Sequence, residues 1–164
     1  MIGALVLVLT FGSEGHAQSV KIVALGASNT AGQGVGPSAA WPAQLEAMLR
    51  AKGVNAEVIN AGISGDTSCG MLARMDSAAP SGTTIVILQR PGFNDLRKGC
   101  GGTERNIAQM RARLAARNIK VVQMNFMPQL AQRYPQPDRI HITTEGHAKA
   151  AAMILPSVLA VVRR

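Results

Sequence analysis

Short runs rich in valine and isoleucine alternate along this chain with segments whose apolar residues recur at helical spacing, and this alternation limits the fold more than any other feature. Val20 to Leu25, Val54 to Asn60, Thr83 to Leu88 and Ile119 to Asn125 read as buried strands. Trp41, Leu45, Met48 and Leu49 mark a first helix, with Pro42 in its first turn and Gly53 after its end. Met71, Leu72 and Met75 mark a second, which Asp66 is suited to cap, and Ile107, Met110 and Leu114 mark a third. A last helix, capped by Thr143 or Thr144, runs toward Val162 with a kink expected at Pro156. Such a pattern implies an α/β fold, a parallel sheet with helices on both faces and its ligand site at the carboxyl ends of the strands. The one irregular stretch of any length is Met127 to Pro137, where Pro128, Pro135 and Pro137 disfavour regular structure.

The 164 residues suit one domain, and a hydrophobic content of 47% supplies its core. Residues 1–17 read as a signal peptide and residues 18–164 as the single domain. Met1 to Phe11 is almost wholly apolar and is followed by a small polar stretch ending Gly15-His16-Ala17, although no Lys or Arg stands near its start. The apolar run is too short to span a bilayer, which takes about 20 residues. The expected location is periplasmic or secreted, with no stable membrane insertion once the leader is removed.

The net charge is +8; without Glu14 of the leader, 17 Lys and Arg face 8 acids, giving +9. That charge suits an acidic cell envelope. Nucleic acid is not an expected partner, because aromatics are only 3% and no basic run is interleaved with stacking residues. Cys69 and Cys100 are either a disulfide, worth roughly 3 kcal/mol by loop entropy, or two buried thiols. Neither has the His, Asp or Glu neighbours of a metal site, and neither metal nor cofactor is expected.

Four segments lie just after strand-like runs or just before helix-like ones: Gly26-Ala27-Ser28-Asn29-Thr30, Asn60-Ala61-Gly62-Ile63-Ser64-Gly65-Asp66, Gly92-Phe93-Asn94-Asp95 and Asp138-Arg139-Ile140-His141. A serine needs a base to become a nucleophile, and the base needs an acid to fix its tautomer. Asp138 and His141 supply that pair from one turn. The other histidines are His16, in the leader, and His147, which has Thr144 at the same spacing. The oxyanion formed on attack needs donors, for which the backbone N–H groups of Gly62 and Ser28 and the side-chain amide of Asn94 are the candidates. Asn94 as a turn cap and Gly62 as a backbone hinge are the structural alternatives, and Asp66 and Asp95 read as caps.

These blocks resemble those of the SGNH hydrolases, the GDSL esterase and lipase family, in the branch similar to bacterial thioesterase I and arylesterases. The resemblance extends through Ala40-Trp41-Pro42, Ser64-Gly65-Asp66-Thr67 and Thr144-Glu145-Gly146-His147 and covers almost all of the mature chain. It implies a flavodoxin-like three-layer α/β/α sandwich with a small sheet of four to five strands. It also implies Ser28 as nucleophile, His141 as base, Asp138 as its acid, and Gly62 and Asn94 as oxyanion donors. Two departures stand out: Ala27 replaces the aspartate usual before the nucleophile, and the segment from Met127 to Asp138 is shorter than in many relatives.

The implied activity is hydrolysis of short-chain carboxylic esters or thioesters through an acyl-enzyme, the substrate being a small-molecule, lipid or sugar ester. The alternatives are a sugar-ester deacetylase and a catalytically silent envelope protein that binds acylated or acidic glycans. Arg90 reads as a surface cation, as the partner of a nearby acid, or as a selector of anionic acyl groups. Arg105, Arg111, Arg113 and Arg117 read as a solvated helix face. Oligomeric state is not legible in the sequence.

Overall fold

Four strands form one parallel sheet in a computed structural model that describes residues 19–163: β1 (Val20–Gly26), β2 (Ala56–Gly62), β3 (Ile85–Gln89) and β4 (Lys120–Met124). Their order is β2-β1-β3-β4. The expected leader lies outside the described residues. Because side chains alternate across a strand, Ile22 and Ala24 of β1 enter one apolar layer and Val23 and Leu25 the other. Both layers are closed by helices, which is why the central strands read as unbroken apolar runs.

The first layer packs β1 and β3 against Trp41, Leu45 and Leu49 of α2 (Trp41–Ala51), Met127 and Leu130 of α6 (Met127–Arg133) and Ala150, Ile154 and Val158 of α7 (Thr144–Val162). On the opposite face, Met71 and Met75 of α3 (Ser68–Ala78) join Ile107, Met110 and Leu114 of α5 (Thr103–Ala116). Burying each such side chain contributes about 1.5–3 kcal/mol. The chain leaves β1 toward β2 on one side and later toward β3 on the other, so the end of β1 is a topological switch point, the usual place for a ligand crevice.

Several local expectations are corrected. Thr67, not Asp66, caps α3: its hydroxyl accepts from the Gly70 N–H at 3.1 Å, while Asp66 turns to Arg74 at 2.7 Å. Met127 to Arg133 is helical, since Pro128 sits in the first turn, where its missing N–H costs nothing. The block around Asn94 is itself a helix, α4 (Gly92–Lys98). Arg113 and Arg117 are not simply solvated; both pair with Asp76, joining α5 to α3. As expected, Thr143 caps α7, and Pro156 lies inside that helix; α2, by contrast, takes its cap from afar, with His147 Nδ1 accepting the Trp41 N–H at 3.1 Å.

Candidate active site

At the end of β1 the chain turns sharply into the short helix α1 (Ser28–Ala31). Only glycine fits at the turn, because a β-carbon on Gly26 would stand 2.1 Å from Thr30 Oγ1 and 2.5 Å from Gln89 Oε1. No carboxylate is present at position 27; instead Gln89, at the end of β3, accepts the Ala27 N–H at 3.2 Å and the Thr30 hydroxyl at 2.5 Å. From the other side Arg74 donates to the Gly26 carbonyl at 3.1 Å and is held by Asp66. Ser28 emerges half-buried from this braced turn.

Asp138 and His141 come from the loop before α7, closed by an antiparallel bridge between Pro135 and Ile142. Gln136 pins the loop, its N–H donating to the His141 carbonyl at 2.7 Å and its side-chain amide to the Gln33 and Ile142 carbonyls. Asp138 Oδ1 accepts the N–H groups of Ile140 and His141 at 2.9 and 3.0 Å, and Oδ2 lies 2.5 Å from His141 Nδ1. The His141 backbone N–H, then its imidazole, then the Ile140 N–H hold the Asp138 carboxyl down to about 2. An ionised Asp138 makes Nδ1 the donor and leaves Nε2 as the basic nitrogen.

Asn29 links this loop to the Ser28 turn. Its side-chain amide donates to the Ile140 carbonyl at 3.3 Å, and its oxygen accepts the Ile142 N–H at 3.1 Å. The residue after the serine therefore clamps both neighbours of His141. Sequence reasoning passed over Asn29 and Gln89, and only their place beside a motif or at a strand end signalled them.

The second block is placed differently from expectation. Strand β2 runs two residues beyond Asn60, pairing Ala61 with Leu25 and Gly62 with Gly26. Gly62 thus lies within the sheet; its N–H donates to Asn60 Oδ1 at 3.0 Å, and a β-carbon there would meet the backbone of Thr30 and Ala31. It is a packing glycine that lets α1 approach β2. Gly65, at φ 76, occupies the turn that follows, closed by Asp66 N–H donating to the Ile63 carbonyl. Asn94 reaches that turn, its amide donating to the Asp66 carbonyl at 2.7 Å.

The frame around Asn94 is covalent as well as hydrogen-bonded. Asp95, 3% exposed, accepts the Ser68 N–H and the Thr103 hydroxyl, tying α4 to the starts of α3 and α5. A Cys69–Cys100 disulfide joins α3 to the chain just past α4. Ser28, Asn29, Gln89, Asn94 and Ile140 line a cavity of about 560 Å³. His147, by contrast, is fully buried under α2, and burial, then the charge of His141, pushes its pKa down to about 4. Among the described residues no three His, Cys, Asp or Glu side chains are grouped to hold a metal.

The model of the GDSL-like lipase and acylhydrolase family matches residues 24–153. The chain is 32% identical over 136 residues to the esterase TesA of Pseudomonas aeruginosa, covering 80% of this chain and 66% of that protein. It is 32% identical over 139 residues to an arylesterase of Vibrio mimicus, covering 82% of this chain and 70% of the relative. The chain thus spans about two thirds of the length of these relatives. Its fold is similar to the crystal structure of TesA with a TM-score of 0.73 at 24% identity, over 86% of this chain and 99% of that one.

Proposed function

The chain belongs to the GDSL-like lipase and acylhydrolase family, and on that premise we propose that it is a serine esterase acting through an acyl-enzyme on short-chain carboxylic esters or thioesters. The observation that carries the reading is the clamp of Asn29 on the Asp138–His141 loop, which couples the acid and base to the residue beside Ser28. Ser28 Oγ bonds to the ester carbonyl carbon as its proton passes to His141 Nε2. The tetrahedral intermediate then collapses, and the leaving alcohol or thiol takes that proton. Water repeats the sequence and frees the acid.

Donors for the oxyanion are the Ser28 N–H, at the start of α1, and the second hydrogen of Asn94 Nδ2, the first being given to Asp66. The third is the Gly65 N–H in the turn beside Asn94, in place of Gly62, whose N–H is taken by Asn60. The missing carboxylate at position 27 does not favour a silent site, since Gln89 takes over its bracing role. Residues 1–17 fit export, so periplasmic or secreted esters are the substrates in view.

The test is turnover of a chromogenic acetyl-to-octanoyl ester series by the mature protein and by Ser28→Ala, with a serine-reactive phosphonate. We expect Ser28→Ala to lose at least 1,000-fold in kcat and the phosphonate to label Ser28 alone. Full activity in Ser28→Ala would sink the proposal.

A further inference from the structure

The walls of the cavity beside Ser28 carry two arginines, Arg90 and Arg139, and no aspartate or glutamate. The remaining lining is neutral, much of it apolar, including Met124, Met127, Pro128 and the exposed Phe93. Arg90, at the end of β3, is oriented by Glu104 through Nε at 2.8 Å and Nη2 at 2.6 Å, both to Oε1. Arg90 is among the lining residues and Glu104 is not, so the cavity wall holds the cation of this pair without its acid.

Arg139 is the more telling of the two. It stands between Asp138 and Ile140 at φ 57, in the left-handed region that glycine and asparagine occupy more cheaply than a long side chain does. The backbone there needs no arginine; its N–H simply closes the turn onto the Gln136 carbonyl at 2.9 Å. Among the described residues its side chain has no ion pair or hydrogen bond, and Arg139 is one of the residues that line the cavity. A cation held at a strained position, unpaired, next to the base is placed for something absent from the protein itself.

We propose that Arg139 and Arg90 form an anion subsite, so that the esters this site accepts carry a carboxylate or phosphate group beside an apolar chain. The inference rests on the esterase reading but is tested independently of turnover, through binding. Guanidinium groups suit both anions because their planar forks match two oxygens at once. The apolar walls take the chain, and the arginines exclude neutral competitors only by failing to reward them.

The experiment is calorimetric titration of the Ser28→Ala protein with octyl phosphate, monooctyl succinate and, as the neutral comparator, octyl glucoside, all below micelle formation. Either anionic probe should bind at least tenfold tighter than the glucoside at low salt, the tighter one naming the preferred anion, and 0.5 M salt should erode the ratio. Adding Arg139→Gly should cut that ratio at least fivefold and leave glucoside binding unchanged. Its melting temperature should be equal or higher, because glycine suits φ 57. Arg111→Gln, which removes one exposed charge on α5, is the control for general attraction. Equal binding of anionic and neutral probes, or an equal drop in ratio for Arg111→Gln and Arg139→Gly, would overturn the proposal. Loss of ester hydrolysis bears on the esterase reading alone.

Discussion

Asn29 illustrates how much of this site depends on one amide. Its Nδ2 donates one hydrogen and its Oδ1 accepts another, each to or from a backbone group flanking His141. Asn29→Ala leaves the Ile142 N–H and the Ile140 carbonyl without this partner, and the proposed base loses its tether to the residue beside Ser28. A misplacement of that kind acts on the transition state more than on substrate binding. We expect kcat to fall about 10–100-fold with KM changed less than about twofold, and stability to fall by about 1–2 kcal/mol. Steady-state kinetics on a neutral ester, with a urea midpoint on the same preparation, measures both. An unchanged kcat accompanied by the stability loss would reduce Asn29 to a structural residue. Asp138 is not a competing source of pH dependence, since it stays ionised down to about 2. Ser28, Asp138 and His141 could be proposed from their blocks because chemistry dictates those residue types. Asn29 was not, because a serine, threonine or leucine there would read equally well without the loop it holds. The proposed donor Gly65 was not singled out for another reason: two glycines share its block, and the choice between their N–H groups depends on where β2 stops.

At the scale of elements, the sequence was most legible where a stripe is long enough to show its period. Helices α2, α3, α5 and α7, of 11 to 19 residues, were all visible. The seven-residue helices α4 and α6 were not, because less than two turns cannot establish a period. Helix α4 also exposes Phe93 and Leu96, so it lacks the apolar stripe that would announce it. Such a helix is held from outside, by Asp95 on α3 and α5 and by the Cys69–Cys100 bond just beyond its end. Closing a loop of 31 residues is worth about 3–4 kcal/mol on the chain-entropy model. The double variant Cys69→Ser, Cys100→Ser should therefore unfold at lower urea by that amount, and it should also lose esterase kcat, because α4 carries Asn94. A matched oxidised and reduced series checks it. A stability change under about 1 kcal/mol would mean that hydrogen bonds alone hold α4, and the bond between α3 and its far end would then be incidental.

For the molecule as a whole, the alternation of strand and helix was enough to imply the parallel sheet and its two layers, but not how the layers are locked together. One lock is His147, which rises from α7 to accept the Trp41 N–H at the start of α2 and is itself fully buried. Sequence comparison of the histidines set it aside as lacking an acid, which is the reason it suits a neutral, structural place. Burial first, and the nearby His141 second, push its pKa from 6.5 to about 4. The unfolded chain therefore takes up a proton near pH 6.5 that the folded protein refuses until about pH 4. Above pH 6.5 the folded state keeps its full stability from this site; between 6.5 and 4 that stability drains away as the pH falls. The loss by pH 4 is on the order of 3 kcal/mol, a sizeable share of the 5–15 kcal/mol that such a domain possesses. Asp138, lowered from 3.8 to about 2, begins to act only below that window and in the same direction. Urea midpoints taken from pH 8 to pH 4 should fall steeply below pH 6.5 in the parent protein. In His147→Gln, whose amide oxygen can still accept the Trp41 N–H, the same interval should be much flatter. A slope that survives the substitution undiminished would assign the acid sensitivity to some other group, and would leave the contact between α7 and α2 as packing without a titrating lock.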